Sequence, residues 1–146
     1  MTYDHNNIFA QILRGEAHCH KVFEDDHTLV FMDIMPQVDG HTLVIPKHPA
    51  ETIFELNDEQ LTACIKTTKL ISEAVMEAFQ VGGIAIAQIN GAAAGQSVPH
   101  VHFHVLPGSV IEIAKRPHAA ILEKPEKLAE FAERIIAVLE KKAIQR

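Results

Sequence analysis

Apolar residues recur at three- and four-residue steps in two long stretches of the chain, which is the pattern of amphipathic helices. The first stretch predicts a helix from about Asp58 to Phe79. Asn57 precedes it and Gln60 follows three residues later, the residue types of a capped helix start. The second stretch predicts a helix from about Pro125 to Lys141, and a shorter apolar face predicts one from Ile8 to Leu13.

Between these helices, runs of β-branched and aromatic residues bounded by polar turns predict five strands. The predicted strands are Lys21 to Glu24, Thr28 to Asp33, His41 to Pro46, Ile84 to Ile89 and Val98 to Leu106. The short polar connection between the first two indicates a hairpin. Hairpin-connected strands interrupted by helices indicate an α+β fold with an antiparallel sheet of about five strands, rather than a parallel doubly wound sheet.

Length, charge and cysteine content narrow the class of protein. The 146 residues suit one domain over 1–146, and a net charge of −6 argues against a nucleic-acid surface. No apolar tract is long enough to span a membrane and the start is polar, so we expect a cytoplasmic protein with no membrane partner. Cys19 and Cys64 are far apart, which predicts reduced thiols and no thiolate zinc site.

Histidine is the unusual residue, with ten in the chain. His100, His102 and His104 alternate with apolar residues, so an extended strand would place the three imidazoles on one face. The opposite face would bury Val101, Phe103 and Val105. Such a row is either a chance polar surface, or part of a metal site that His41 or His48 completes, or the centre of covalent catalysis at phosphorus.

The covalent interpretation favours His102 as the nucleophile, because it has a histidine on either side to surround a phosphate. Attack by one ring nitrogen requires the proton to be held on the other nitrogen by an acceptor, and a backbone carbonyl of the same segment would serve. The preceding loop from Gly91 to Gly95 would allow the backbone to approach a ligand, and Gln96 and Ser97 offer donors at its edge. The sequence shows no carboxylate or thiolate at an obvious spacing for a metal.

Several motifs together resemble the histidine triad (HIT) family, and most closely its Hint-like nucleotide-binding branch. These motifs are His100-Val101-His102-Phe103-His104-Val105-Leu106, the preceding Gly95-Gln96-Ser97-Val98, the strand from Asp39 to Lys47, and the opening around Asn7-Ile8-Phe9. The resemblance covers about residues 6–107 and implies helices on one face of the sheet. Residues 108–146 form a less characteristic extension that ends in the C-terminal helix.

The resemblance implies a role for each matching residue. His102 would form a nucleotidyl-histidine intermediate, and His100, His104 and His41 would hold the phosphate. Ser97 and Gln96 would contact the leaving group, Asn90 in preference to Gln88 would contact the phosphate, and Asp33 would accept the ribose hydroxyls. The base would lie between Phe9, Ile12, Phe31 and Ile34, which would otherwise be ordinary core residues.

The implied function is hydrolysis or transfer at the α-phosphate of purine nucleotide conjugates such as nucleoside phosphoramidates. A dinucleoside polyphosphate hydrolase, a nucleotide-binding or scaffold protein and a metal-dependent enzyme remain alternatives. Asn7 and Ala10 stand where some relatives place zinc-binding cysteines, so no metal or other cofactor is expected. His18 and His20 are expected to be exposed residues outside the site. The resemblance also implies a homodimer through the long helix and a shared strand.

Overall fold

The computed structural model describes residues 2–116 and 121–144. Five antiparallel strands form one sheet in the order β1-β2-β3-β5-β4. The strands are β1 (Lys21–Glu24), β2 (Thr28–Met32), β3 (Thr42–Pro46), β4 (Ile84–Gln88) and β5 (Phe103–Pro107). The predicted α+β class with a five-stranded antiparallel sheet is confirmed.

Four α-helices accompany the sheet: α1 (Ile8–Leu13), α2 (Asp58–Phe79), α3 (Val110–Ala114) and α4 (Pro125–Ile144). The predicted bounds of α1 and α2 are correct, whereas α4 runs three residues beyond Lys141 and α3 was not predicted. The start of α2 is held as its sequence suggested, because the Asn57 side chain accepts from the Gln60 backbone N–H and the Gln60 side chain accepts from the Asn57 N–H. No helix among the described residues is long and apolar enough to cross a membrane.

The two long helices pack on one face of the sheet and form the larger core with alternate strand residues. This core includes Val30, Met32, Val44, Phe103 and Val105 from the strands, and Ile71, Val75, Leu128, Phe131 and Ile135 from α2 and α4. Full burial of one such side chain stabilises the fold by about 1.5–3 kcal/mol. The larger apolar core therefore lies on this one face of the sheet.

A second, smaller core lies on the opposite face. Phe9 from α1 packs there against strand residues Leu29, Phe31, Leu43 and Ile45. The expectation of helices on one face therefore holds for the two long helices but not for α1. Alternate residues of a strand share a face. Asp33, two residues after Phe31, and His41, two residues before Leu43, therefore lie on this same face.

The predicted last strand, Val98 to Leu106, was too long at its start. Strand β5 begins only at Phe103. Pro99 has no N–H to give to a ladder, the His100 N–H turns back to the Val98 carbonyl, and the Val101 N–H bonds to the Ala50 carbonyl. His100 and His102 therefore lie on an irregular segment, and only His104 lies within the strand.

The loop between β2 and β3 is held tightly where it approaches β3. Gly40 has φ +94° and is buried, and a β-carbon built on it would lie 2.9 Å from the Phe79 ring. A glycine is required there for both its backbone conformation and its lack of a side chain. This close approach fixes the position of His41, the next residue.

Candidate active site

Four histidines are buried on the α1 face of the sheet: His41, His100, His102 and His104. His104 in β5 pairs with Leu43 of β3, two residues after His41, so the two imidazoles meet across neighbouring strands. The ring centroids of His41 and His104 are 5.1 Å apart, and those of His102 and His104 are 4.9 Å apart. The predicted row of imidazoles is thus present, but it is buried and it includes His41.

A backbone N–H sets the proton positions on two of these rings. The Gln37 N–H donates to Nδ1 of His41 over 3.0 Å, so this nitrogen must carry a lone pair. The proton of the neutral His41 ring then lies on Nε2, which is 2.9 Å from Nδ1 of His104. His104 accepts there, and its own proton lies on Nε2. The geometry therefore assigns one tautomer to each ring.

His100 is anchored through both of its ring nitrogens. Its Nε2–H donates to the Pro46 carbonyl over 2.9 Å, and Nδ1 lies 2.5 Å from the Tyr3 hydroxyl. Burial lowers the pKa of His100 to about 4, so the ring is neutral at physiological pH. With both nitrogens engaged by protein groups, the geometry favours an orienting role for His100 over the direct phosphate contact that the resemblance implies.

His102 has the arrangement that a nucleophilic imidazole requires. Its Nδ1 lies 2.7 Å from the His100 carbonyl oxygen, which can only accept, so Nδ1 carries the proton. In the neutral ring the lone pair is then on Nε2. A nucleophilic imidazole needs an acceptor for this proton, a backbone carbonyl of the same segment was expected to serve, and the His100 carbonyl does so.

Asp33 lies directly after β2 and brings a carboxylate to the cluster. Its Oδ2 is 3.3 Å from Nε2 of His41, and its Oδ1 accepts from the Met35 N–H over 2.8 Å. Ligand-type atoms of Asp33, His41 and His104 all lie within 4.8 Å of one another. The expectation that no carboxylate is suitably placed for a metal was therefore wrong, because the strand order brings together residues that are distant in sequence.

The hydrogen bonding of this trio nevertheless does not fit a metal site. An imidazole that binds a metal through Nε2 ordinarily carries its proton on Nδ1 and donates it to an acceptor. In His41, Nδ1 faces the N–H of Gln37, which is a donor. Coordination through Nε2 would bring two N–H groups together, so the geometry favours a hydrogen-bond relay over a metal centre.

The residues expected around the base differ in their exposure. Phe9 and Phe31 are buried and meet edge to face, with ring centroids 5.3 Å apart, and the Phe9 ring is 5.1 Å from that of His102. Ile12 is half-buried against the same small core. Ile34 is 46% exposed. The two phenylalanines therefore serve the core and border the site at once, while Ile34 lies at its solvent edge.

Gln96 ties the loop before the histidine segment to its surroundings. Its Oε1 accepts from the Gly91 N–H over 2.7 Å, and its Nε2 donates to the carbonyls of Glu51 and Val98 over 2.7 and 2.9 Å. These bonds favour a role in shaping the loop. Ser97, the next residue, is exposed to solvent.

Asn90 and Gln88, the two residues considered for phosphate contact, bond to each other. The Asn90 side-chain oxygen accepts from Gln88 Nε2 over 3.0 Å and from the Ile53 N–H over 2.9 Å. The Asn90 amide nitrogen in turn donates to the Gln88 oxygen. The pair therefore joins the end of β4 to the turn before α2.

Residues near both ends of the chain contact the site, and the sequence analysis assigned them no role there. Besides Tyr3, the segment that leads into α4 contacts the loop between β2 and β3. The Glu123 N–H donates to the Ile34 carbonyl over 2.8 Å, and Asp39 lies 3.8–3.9 Å from the side-chain nitrogens of Arg116 and Lys127.

Backbone donors such as that of Gln37 carry no sequence signal, because any residue type would supply them.

The remaining histidine and cysteine expectations are largely met. His18 is exposed, His20 is half-buried, and their rings contact each other, 4.9 Å between centroids. Cys19 and Cys64 are free thiols, as predicted. Burial raises the pKa of Cys64 to about 12, which makes this thiol a core group rather than a reactive one.

The fold and the site define a class of protein: an antiparallel α+β protein with a hydrogen-bonded cluster of buried histidines on one face of its sheet. A model of the HIT domain matches residues 14–110, and the chain belongs to the HIT family.

Named relatives and solved structures agree with this assignment. An uncharacterised HIT-like protein of Methanocaldococcus jannaschii is 44% identical over 100 residues, which cover 68% of this chain and 77% of that protein. The adenosine 5'-monophosphoramidase Hnt1 of Schizosaccharomyces pombe is 40% identical over 101 residues, covering 68% and 72%. A crystal structure of a HIT-like protein from Bartonella henselae, described as involved in cell-cycle regulation, has a TM-score of 0.86 and 42% identity, covering 94% and 99%.

The low pKa of His100 predicts a pH-dependent contribution to stability. Between its folded value of about 4 and its ordinary value of 6.5, the unfolded chain binds a proton that the folded protein does not. The free energy of unfolding therefore falls as the pH falls through this window. The His100→Asn variant lacks this titrating group. Over the same pH window we expect its free energy of unfolding to fall by up to about 3 kcal/mol less than that of the parent. Urea unfolding at a series of pH values measures this difference, and parallel curves would contradict it.

Proposed function

We propose that this protein cleaves purine nucleotide conjugates at the α-phosphate, with nucleoside phosphoramidates as the simplest substrates, through a covalent intermediate on His102. The observation that carries the proposal is the hydrogen bond from Nδ1 of His102 to the His100 carbonyl. It holds the proton on the far side of the ring, so Nε2 presents a lone pair for attack on phosphorus.

The reaction balances in two steps. In the first, a bond forms between Nε2 of His102 and the α-phosphorus while the bond from phosphorus to the leaving amine breaks, and the amine leaves with a proton taken from solvent. In the second, water attacks the same phosphorus, gives up one proton to solvent, and the bond to His102 breaks, which releases the nucleoside monophosphate and restores the imidazole. An acceptor other than water at this step would give a transferase.

The relay from Gln37 through His41 to His104 supplies a donor for the phosphoryl oxygens. Because His104 accepts at Nδ1, its Nε2 carries an N–H beside the His102 ring. A donor whose orientation is set before the substrate arrives stabilises developing charge without reorganisation. Asp33, 3.3 Å from Nε2 of His41, adds a negative charge that favours the proton on that nitrogen.

Recognition of the nucleotide follows the family resemblance. We propose that Asp33 accepts the ribose hydroxyls and that the base lies against Phe9, Phe31, Ile12 and Ile34. Ser97 would contact the leaving group from its exposed position. Gln96 and Asn90 would act mainly by holding their loop in place. Of the residues considered for phosphate contact, we favour Asn90.

The relative named as an adenosine 5'-monophosphoramidase supports the phosphoramidate substrate class over the alternatives. A dinucleoside polyphosphate hydrolase would use the same nucleophile and differ only in leaving-group contacts. A binding or scaffold protein would also need partners for its buried imidazoles, so the lone pair inferred on Nε2 of His102 supports catalysis without excluding that alternative.

We also propose a homodimer in which β4 and α2 of two copies meet. β4 is an edge strand of the sheet, and Ile86 on it is 51% exposed; Ile65 on α2 is 52% exposed. An unpaired apolar edge is a surface that a second copy would cover. Sedimentation analysis should show a dimer for the parent and a shift to monomer for Ile86→Lys, and a monomeric parent would contradict the proposal.

The nucleophile is tested by intact-protein mass spectrometry after brief mixing with an adenosine phosphoramidate. The parent should gain one adenylyl group transiently and release AMP. His102→Ala should form no adduct and lose turnover by about a thousandfold or more, while AMP binding persists.

His18→Asn is the matched control, because it removes an exposed histidine outside the site and should keep both adduct and turnover. Parent-like turnover in His102→Ala would exclude the nucleophile assignment. A parent that forms no adduct and releases no AMP, from phosphoramidate or dinucleoside polyphosphate, would favour the binding-protein alternative.

Ribose binding by Asp33 can be separated from its contact with His41 by comparing two nucleotides in the parent and in one variant. If the carboxylate accepts the ribose hydroxyls, Asp33→Asn should weaken AMP binding by about tenfold, because hydrogen bonds to a charged group are lost. Binding of 2',3'-dideoxy-AMP should be nearly unchanged by the same substitution. Titration calorimetry with both nucleotides measures this, and equal losses for the two would assign Asp33 to the histidine relay alone.

A further inference from the structure

Tyr3 contacts the histidine cluster from a part of the chain that the HIT domain match, residues 14–110, does not include. It precedes α1, and its hydroxyl lies 2.5 Å from Nδ1 of His100. The two rings meet edge to face, with centroids 5.7 Å apart and planes at 72°. The phenol is therefore one of the two groups that hydrogen-bond to the His100 ring; the other is the Pro46 carbonyl.

The direction of this hydrogen bond follows from the other anchor. Nε2 of His100 faces the Pro46 carbonyl, which only accepts, so the ring proton is on Nε2 and Nδ1 carries a lone pair. Tyr3 must then donate its O–H. Burial raises the pKa of Tyr3 above its ordinary value, so the phenol keeps this proton across the physiological range.

His100 needs such anchors because its segment lies outside the sheet. The carbonyl that holds the proton on His102 belongs to His100, and β5 begins only at Phe103. The backbone around this carbonyl is held by the bonds from the His100 N–H to Val98 and from the Val101 N–H to Ala50. A fixed His100 side chain adds two further points of attachment for the same residue.

We propose that Tyr3 is a positioning residue for the reaction at His102: its O–H holds the ring orientation of His100, whose tautomer the Pro46 carbonyl sets, and thereby the carbonyl that orients His102. The proposal rests on the proposed function for its catalytic consequence. Its structural consequence, a hydrogen bond from Tyr3 that holds Nδ1 of His100, does not depend on that function.

Other polar groups around the phenol bear on any measurement of its ionisation. The His5 ring lies 4.9 Å from the Tyr3 ring, and Asp4 and Arg14 are the charged groups that act on it from the N-terminal segment and the end of α1. His100 faces it from the histidine segment. Asn7 contributes an uncharged hydrogen-bonding side chain.

The first test compares the parent with Tyr3→Phe, which keeps the ring contacts and removes only the O–H. We expect kcat for an adenosine phosphoramidate to fall by about tenfold, because a buried acceptor is left without its donor. KM should stay within about twofold, since no group that binds the nucleotide has changed. Long-range 1H–15N NMR of the imidazoles should show the Nε2–H tautomer of His100 in both proteins, with the Nδ1 resonance shifted in the variant because the hydrogen bond from Tyr3 is lost.

The second test uses Tyr3 as a spectroscopic site, because it is the only tyrosine in a chain without tryptophan. Tyrosinate absorbance therefore reports the ionisation of Tyr3 alone. Residue-specific replacement by a fluorinated tyrosine lowers the phenol's own pKa, so the donor is lost at lower pH. The alkaline limb of kcat should move to lower pH together with the absorbance change.

The outcomes separate this proposal from the proposed function. Tyr3→Phe with parent kcat and unchanged His100 signals would overturn it, as would an alkaline limb that does not move with the phenol's ionisation. A variant that loses activity with its folding transition intact and KM unchanged supports it. If the parent cleaves no nucleotide conjugate, the proposed function fails, and the His100 Nδ1 resonances of parent and variant still decide whether Tyr3 holds the ring.

Discussion

The site depends on one constraint: each buried imidazole must have its proton on a defined nitrogen. Backbone groups impose this at three places, because an N–H only donates and a carbonyl only accepts. The Gln37 N–H sets His41 and, through it, His104, while the carbonyls of Pro46 and His100 set His100 and His102. An imidazole buried without such partners would cost about 1–3 kcal/mol for each unsatisfied group. The hydrogen bonds that make burial of the cluster tolerable are therefore the same ones that would prepare it for the proposed reaction.

The two faces of the sheet divide stability and chemistry between them. The face under α2 and α4 holds the larger apolar core, and buried polar groups such as Thr28 and Thr67 are hydrogen-bonded to each other there. The other face has a small core around Phe9. Beside this core lie three polar residues: Asp33 at the end of β2, His41 at the start of β3, and His104 in β5, which runs between β3 and β4. Phe9 connects the two tasks, because it packs in the small core and its ring also contacts that of His102.

Periodicity was sufficient to predict the class of fold, the strand count and the bounds of α1 and α2, because burial on one face dictates these patterns. Periodicity made the last strand too long at its start. His and apolar residues already alternate around His100, but Pro99 and the turn at His100 interrupt the ladder there. The histidine motif located the cluster, and the need for an acceptor on His102 was foreseeable from chemistry alone. The contribution of Gln37 was not, because a backbone N–H leaves no trace in residue type, and the proximity of Asp33 to His41 depends on the path of a loop.

Segments outside the family match hold the two ends of this site. At one end, Tyr3 contacts His100, and at the other, Arg116 and Glu123 contact the loop that supplies the Gln37 N–H. The histidine motif is thus supported by parts of the chain that lie outside the family match. Because each support acts on the orientation of a histidine rather than on the substrate, variation in these segments would alter the rate of the chemical step more than the choice of nucleotide.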